Sequence, residues 1–276
     1  MTTILGEQAL AEWIVSGEVV ALTGAGVSTA SGIPDYRGPN GAFTRGHKPM
    51  TYQQFLRDPQ GRIRYWARGH VGWTRFAQAA PNQAHHALAS LEAQGLVSGV
   101  ITQNVDGLHQ AAGSRSVIDL HGRLDRVVCL ECGSVESRTS VHQRLTAANP
   151  QLTVQSESIN PDGDVDLPED VLNGFQMVAC LDCGGDIKPD VVYFGESVPV
   201  DRVQQAYQLV DQARMVLVAG SSLTVYSGRR FVIHAYKAGT PVVIINAGET
   251  RCDDLASLRI DRDVCEVLTS LIPADR

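Results

Sequence analysis

Five short apolar runs constrain this chain more than any other feature: VVALTG (19–24), VSGVITQN (97–104), SVIDLHG (116–122), MVLVAGSS (215–222) and PVVIINAG (241–248). They are rich in Val and Ile and lack polar alternation, the pattern of strands buried on both faces of a helix-covered parallel sheet. Most close on a small or polar group, such as Thr-Gly, Gln-Asn, His-Gly or Gly-Ser-Ser. Open α/β sheets bind ligands at the carboxyl ends of their strands, so these tails form the first candidate site. Helical patterns lie between the runs. Asn82 can cap a helix with Ala84, Leu88 and Leu91 on its apolar side and Gly95 past its end. Pro199 opens another, with Val203, Tyr207, Val210 and Ala213 at helical spacing. The expectation is an α/β, Rossmann-like doubly wound parallel sheet.

Two regions break the alternation. Residues 45–81 carry a helical, Arg- and aromatic-bearing character, and residues 126–187 hold four cysteines and an acidic stretch, NPDGDVDLPED. Both read as insertions that build a second, smaller lobe, a helical module and a zinc-binding module. Residues 1–44, 82–125 and 188–276 then make up the nucleotide-binding domain. With 43% apolar and 19% charged residues the composition is globular, and a net charge of -7 without a basic cluster argues against nucleic acid. No window reaches the roughly 18 apolar residues of a membrane span. The N-terminal MTTILGEQALAEW lacks a leader's basic and apolar regions, so a cytoplasmic protein is expected.

Cys129-Leu-Glu-Cys132 and Cys180-Leu-Asp-Cys183 are two C-x-x-C knuckles. Each can offer two sulfurs to one tetrahedral zinc, and four thiolates leave no open position, so the ion would be structural. Disulfides are the alternative, disfavoured without a secretion signal. Cys252 and Cys265 lack a partner motif and read as ordinary thiols.

The stretch ALTGAGVSTASGIPDYRG begins as a dinucleotide-binding turn, but the third glycine of the usual fingerprint falls on Thr29. No acidic residue follows about 20 positions on at a strand end, which counts against a hydride-transferring dehydrogenase. Taken in order, GAGVSTASGIPDYRG, TQNVDGLH, DLHG, the two knuckles, KPDVVYFGE, GSSLTVYS and INAG resemble the sirtuin family of NAD-dependent protein deacylases. RYWARGHVGW and PDGDVDLPED look most like its class II branch.

The resemblance implies roles for particular residues. Gly24, Ala25 and Gly26 would carry the NAD pyrophosphate, Ser28 would also contact the cofactor, and a loop through Ile33, Pro34, Asp35, Tyr36, Arg37 and Phe43 would fold over the nicotinamide. The family commonly has Phe-Arg-Ser where this chain has Tyr36-Arg37-Gly38. Gln103, Asn104, Val105 and Asp106 would line the nicotinamide and its ribose. Gly220, Ser221 and Ser222 would meet phosphate, Asn246, Ala247 and Gly248 the adenosine ribose, and the backbone near Val264 the adenine. His121 would be the general base, assisted by Asn104, since an imidazole titrating near pH 6.5 suits that task. The other histidines read as structural, His85 within the helix that it starts.

By the same resemblance, an acyl-lysine protein substrate enters as an extended strand between 191–196, through Val192, Tyr193, Phe194 and Gly195, and 223–227. The acyl group passes to ADP-ribose, releasing nicotinamide and free lysine. Tyr65 and Arg68, three apart on a helix, match pairs that grip acidic acyl chains, with a solvated Arg-rich helix as the alternative. Transfer of ADP-ribose to a protein side chain, and a non-catalytic NAD sensor or zinc adaptor, stay open as rival readings.

Overall fold

The computed structural model describes residues 2–154, 156, 158–168 and 174–272, so the last two residues of the acidic stretch lie outside the described residues. Its main sheet has six strands, all parallel: β1 (Val19–Thr23), β2 (Val97–Thr102), β3 (Val117–Asp119), β7 (Met215–Ala219), β8 (Val242–Ile245) and β9 (Leu258–Ile260). Their order is β3-β2-β1-β7-β8-β9, which reverses direction between β1 and β7. That is the strand order of a Rossmann-type fold, with its ligand crevice at the reversal.

Continuous Val/Ile runs form these strands because both faces are covered. Alternate residues point to opposite sides, so Val19, Ala21, Val100, Leu217, Val243 and Ile245 face one helical layer. That layer contains α1 (Thr2–Val15), α4 (Gln83–Ala93) and α9 (Val264–Ser270). Val20, Leu22, Ile101, Val216, Val218 and Ile244 face the other layer, α7 (Val200–Asp211) and α8 (Tyr226–Lys237). Each fully buried Val, Leu or Ile contributes about 1.5–3 kcal/mol to this core.

Asn82 caps α4 through its side-chain oxygen, which accepts from the Ala84 N–H (2.9 Å), and Gly95 at φ +75° lets the chain leave it. Pro199 precedes α7 as expected, but Ala213 lies past the helix end at Asp211.

The second lobe is built by α2 (Tyr52–Arg57), α3 (Pro59–Phe76) and a three-stranded antiparallel sheet. That sheet holds β4 (Gly122–Cys129) between β5 (Val135–Ser137) and β6 (Ile187–Val191), with α6 (Arg138–Ala148) beside it. Its separate core gathers Phe55, Tyr65, Trp66, Trp73, Phe76, Val141, Leu145 and Ile187. Strand β4 runs from beside His121 out to the cysteines and β6 runs back, so the divisions drawn at 125/126 and 187/188 cut through a paired ribbon. The short helix α5 (Leu108–Ala111) completes the described helices.

Candidate active site

The parallel sheet presents its carboxyl ends on one edge, where the turns after β1 and β7 touch. Gly24 N–H donates to Ala219 O (3.2 Å) and Gly26 N–H to Gly220 O (2.9 Å). A Cβ on Gly24 would stand 2.8 Å from Gly220 O, and one on Gly26 2.9 Å from Gly220 Cα. Gly220, at φ +62°, would place a Cβ 2.5 Å from Val27 N. Only glycine permits this crossing, which brings bare backbone to the rim where a phosphate would sit.

As the sequence predicts, a loop takes the place of a crossover helix after the turn. Two single-turn segments, Ala25–Val27 and Thr29–Ser31, lead to Gly32 at φ +82° and a long loop. Asp35 closes that loop on itself: its carboxylate accepts from Gly38 N–H (2.6 Å), and its carbonyl accepts from Ala42 N–H (2.9 Å). A Cβ at position 38 would meet Asp35 Oδ2 at 2.4 Å, which gives Gly38 a physical reason. Tyr36 packs on Phe43 (5.2 Å) and Phe194 (5.9 Å), and the Arg37 guanidinium lies 4.9 Å from the Phe43 ring centroid. The Ile33 side chain turns away from the rim, buried in the second lobe's core.

Below the loop lies a polar network. Asn104 Nδ2 donates to Gly24 O (3.1 Å) and Ser28 Oγ (3.0 Å), and Ser28 Oγ donates to Asp106 Oδ2 (2.7 Å). Asp106 also accepts from Leu108 N–H (2.9 Å). Burial pushes its carboxyl above the ordinary range, and the two hydrogen bonds oppose the shift. Gln103 Nε2 donates to Ser221 Oγ (2.8 Å), joining the ends of β2 and β7. Val105 packs against the second lobe's core.

Ser28 corrects the sequence expectation. It is fully buried and its hydroxyl is spent on Asn104 and Asp106, so it organises those side chains from beneath and presents no open contact. His85 behaves as expected. It is fully buried, takes part in the α4 cap through Nδ1 (3.3 Å to Asn82 N) and approaches Ser28 Oγ through Nε2 (3.4 Å).

His121 sits in the turn between β3 and β4. Its Nδ1 lies 2.9 Å from Gln103 O, and a carbonyl can only accept, so Nδ1 carries the proton. Nε2 is then the basic nitrogen, 2.7 Å from Ser227 Oγ. Burial lowers the imidazole's pKa, with the Gln103 carbonyl pulling the other way and Arg202 and Arg230 adding to the lowering. The result is a neutral imidazole with its lone pair oriented by Ser227, a base ready to take a proton. Ser227, at the start of α8, was not anticipated. Its only signal in the sequence is its place within GSSLTVYS.

The far rim is formed by Ser221, Ser222 and the loop after β8. Ser222 Oγ lies 3.1 Å from Thr224 Oγ1, and Leu223 takes the uncommon φ of +54°. Asn246 Nδ2 donates to the carbonyls of Ala247 (3.1 Å) and Gly248 (2.9 Å). Gly248 N–H donates to Asp261 Oδ1 (2.8 Å). The Val264 side chain is buried in the first core, leaving only its backbone available at this edge.

The expected substrate strand is partly engaged. Val192 N–H donates to His121 O (2.8 Å), and Phe194 O accepts from Tyr52 N–H (3.0 Å). Gly195 O accepts from Gln53 Nε2 (3.1 Å). Phe194 is paired by a parallel bridge with Thr51, but among the described residues no hydrogen bond uses Val192 O or Thr224 N–H, so a peptide could still pair between the two segments.

The side chains of Tyr65 and Tyr193 do not line that groove. Both are buried in an aromatic cluster, Tyr65 5.7 Å from Phe55 and 5.4 Å from Tyr193. Arg68, left open by the sequence between a grip for an acidic acyl chain and a place on a solvated Arg-rich helix, is engaged by carboxylates. Its Nη2 lies 2.9 Å from Asp164 and 3.0 Å from Asp166, and its Nε donates to Val165 O (2.8 Å).

All four expected metal ligands converge. The sulfurs of Cys129, Cys132, Cys180 and Cys183 lie within 4.8 Å of one another, with Cys129–Cys183 at 3.5 Å and Cys132–Cys180 at 3.8 Å. A tetrahedral zinc with Zn–S bonds of about 2.3 Å holds its sulfurs about 3.8 Å apart. The set fits one closed structural zinc and leaves no position for catalysis.

The chain thus combines a Rossmann-type sheet, a four-cysteine lobe fit for one structural zinc and an imidazole at the sheet's rim able to accept a proton. The Sir2 family profile matches residues 24–227, and the chain belongs to that family. It is 52% identical over 267 residues to NAD-dependent protein deacetylase 1 of Streptomyces coelicolor, covering 97% of this chain and 88% of that protein. It is 50% identical to the NAD-dependent protein deacetylase of Bordetella pertussis, covering 94% of each. A Sir2 structure with a p53 peptide and NAD+ superposes with a TM-score of 0.76 at 34% identity, covering 96% of both chains. A Sir2 variant with deacetylated p53 peptide and 3′-O-acetyl ADP ribose gives 0.76 at 35%, covering 95% of both.

Proposed function

We propose that the chain is an NAD-dependent protein lysine deacylase, with deacetylation as its principal activity. NAD supplies an ADP-ribose acceptor: the acyl oxygen takes the place of the departing nicotinamide on the ribose, a ribose hydroxyl captures the acyl carbon, and one water is consumed as lysine and O-acyl-ADP-ribose are released. The observation that carries the reading is His121, with its proton fixed on Nδ1 by Gln103 O and its basic Nε2 on Ser227 Oγ, on the same sheet edge as the Gly24–Gly220 crossing.

Each residue's part follows from its position. The Gly24–Gly26 and Gly220–Ser222 turns bind phosphate through backbone amides. Arg37 and Phe43 cover the reacting end, the guanidinium toward phosphate and the ring shielding the reactive carbon. Asn104 and Asp106, fixed by Ser28, orient the carboxamide and ribose. His121 removes a proton from a ribose hydroxyl, which then captures the acyl carbon. The ends of the extended segments at Val192–Gly195 and 223–227 hold the peptide.

The acyl preference follows from Arg68. A guanidinium committed to Asp164 and Asp166 has no charge to spare for a succinyl or glutaryl carboxylate. A cytoplasmic setting suits the four-thiolate site, which needs reduced cysteines.

The test is a mass-spectrometric panel of one peptide carrying acetyl-, propionyl-, succinyl-, glutaryl- or unmodified lysine, with NAD and a His121→Ala control. Deacetylated peptide matched by O-acetyl-ADP-ribose, lost in the control, and at least tenfold slower turnover of succinyl-lysine is expected. ADP-ribose appearing on the unmodified peptide would overturn the deacylase reading, and a succinyl preference would overturn the argument from Arg68.

A further inference from the structure

The loop that covers the reacting end is tied to the sheet by little of its own. Its hydrogen bonds from Asp35 to Gly46 run mainly within the loop, as in Gly41 N–H to Gly38 O (2.8 Å) and Phe43 N–H to Tyr36 O (3.0 Å). What anchors its carboxyl-terminal end is a contact across the molecule. His47 is buried, its backbone N–H bonded to Ala42 O (2.9 Å) and its side chain only 1% exposed. Nε2 stands 3.4 Å from Asp162 Oδ2 and Nδ1 3.8 Å from Asp166 Oδ1. Arg45 adds a bond from Nη2 to Asn160 Oδ1 (3.3 Å).

The opposing segment, 159–166, belongs to the second lobe and is itself rigidly held. Asn160 Nδ2 donates to Asp164 Oδ1 (2.8 Å), and Arg68 on α3 pairs with Asp164 and donates to Val165 O. Gly163 O lies 2.3 Å from where a Cβ on Gly72 would be, so helix and segment meet backbone to backbone. The charges around His47 are unbalanced. Asp162, Asp164 and Asp166 face one guanidinium, Arg68, and among the described residues no other Lys or Arg forms an ion pair with them. A protonated imidazole sets a second cation beside Arg68 against these carboxylates, of which burial and the Asp162 charge raise Asp164 to about 7.

We propose that His47 is a positioning residue whose imidazolium, seated on Asp162 and Asp166, fixes the 35–47 loop closed over the dinucleotide. His47 touches no substrate. It acts through Arg37 and Phe43, which the loop carries, and the inference rests on the NAD-dependent reading for the identity of the ligand. Hydrogen bonding and attraction to Asp162, with Asp164 adding to it, outweigh burial and the repulsion of Arg68 and raise the imidazole above its ordinary 6.5. A raised histidine is charged below its folded pKa, so the clasp is present below that value and weakens as pH rises through it.

The test reads loop closure without turnover, by calorimetric titration of the enzyme with a non-hydrolysable carbocyclic NAD analogue from pH 6 to 9. Wild-type affinity should fall about fivefold or more across that range. Asp162→Asn and His47→Gln should bind about fivefold more weakly at pH 6.5 and show a flat profile, with peptide KM within twofold and melting temperatures close to wild type. Wild-type affinity independent of pH, or variants that bind as wild type does, would overturn the proposal. So would a parallel loss of NAD affinity, peptide affinity and melting temperature, which marks a merely structural role. Nicotinamide release from NAD with acetyl-peptide is measured separately. Its absence in the wild type would remove the deacylase reading while leaving the clasp to stand or fall by the titration.

Discussion

His121 depends on two neighbours, one fixing which nitrogen carries the proton and the other pointing the lone pair. With burial lowering its pKa, the base stays neutral to more acidic pH than a free imidazole. The acid limb of kcat/KM, measured from pH 5 to 9, is therefore expected below 6.5, and it should vanish with activity in His121→Ala. Ser227→Ala removes one hydrogen bond of about 1 kcal/mol and should lower kcat about fivefold with NAD affinity retained. At this scale the sequence shows residues whose partners are close or whose spacing is local, such as the knuckle cysteines and the Gly24–Gly26 turn. Ser227 and the His47 contact were illegible because their partners stand 106 and 115 residues away. Arg68 shows the opposite failure. Its spacing from Tyr65 was visible, but the carboxylates that consume its charge were not placed by any local pattern.

The strands were legible because burial on both faces leaves a composition that no amphipathic helix shares. All five runs became strands of one parallel sheet, each one to three residues shorter at the carboxyl end or trimmed at both, where the tails turn into the site. What escaped were elements without periodicity. Strand β9 spans three residues with Arg259 at its centre, and α6 buries only Arg138, Val141 and Leu145 along eleven residues. Elements also meet where no side chain signals it, as at the crossing of the two rim turns. Gly24→Ala should cost about 1–3 kcal/mol in urea unfolding, because its Cβ would press on the backbone of Gly220. It should also weaken binding of the NAD analogue, whereas Gly239→Ala, with nothing within 4 Å but φ +79°, should cost stability alone.

At the scale of the whole molecule, the second lobe's core is small and its zinc knuckles carry part of its stability. One zinc per chain by atomic emission is expected, falling to none in Cys180→Ser, with the lobe's melting transition lost or moved well down. The six-stranded sheet, which has its own cores on both faces, should keep its far-ultraviolet signal. Strong chelation should give the same result without mutation. The lobe was foreseen as an insertion, but its attachment was not, since nothing in either strand's sequence tells that β4 and β6 pair.

That attachment has a mechanical consequence. Gly122, at φ +80°, lies so close to β6 that a Cβ would come within 2.0 Å of Asp190 O, and one residue on each side His121 O is bonded to Val192 N–H. His121 and the Val192–Gly195 segment are thus bolted together at the root of a two-stranded boom whose tip carries the four cysteines. If the boom swings, both ride on it. Approach and retreat of the cofactor loop can vary from one catalytic cycle to the next, while the offset between imidazole and bound lysine stays constant.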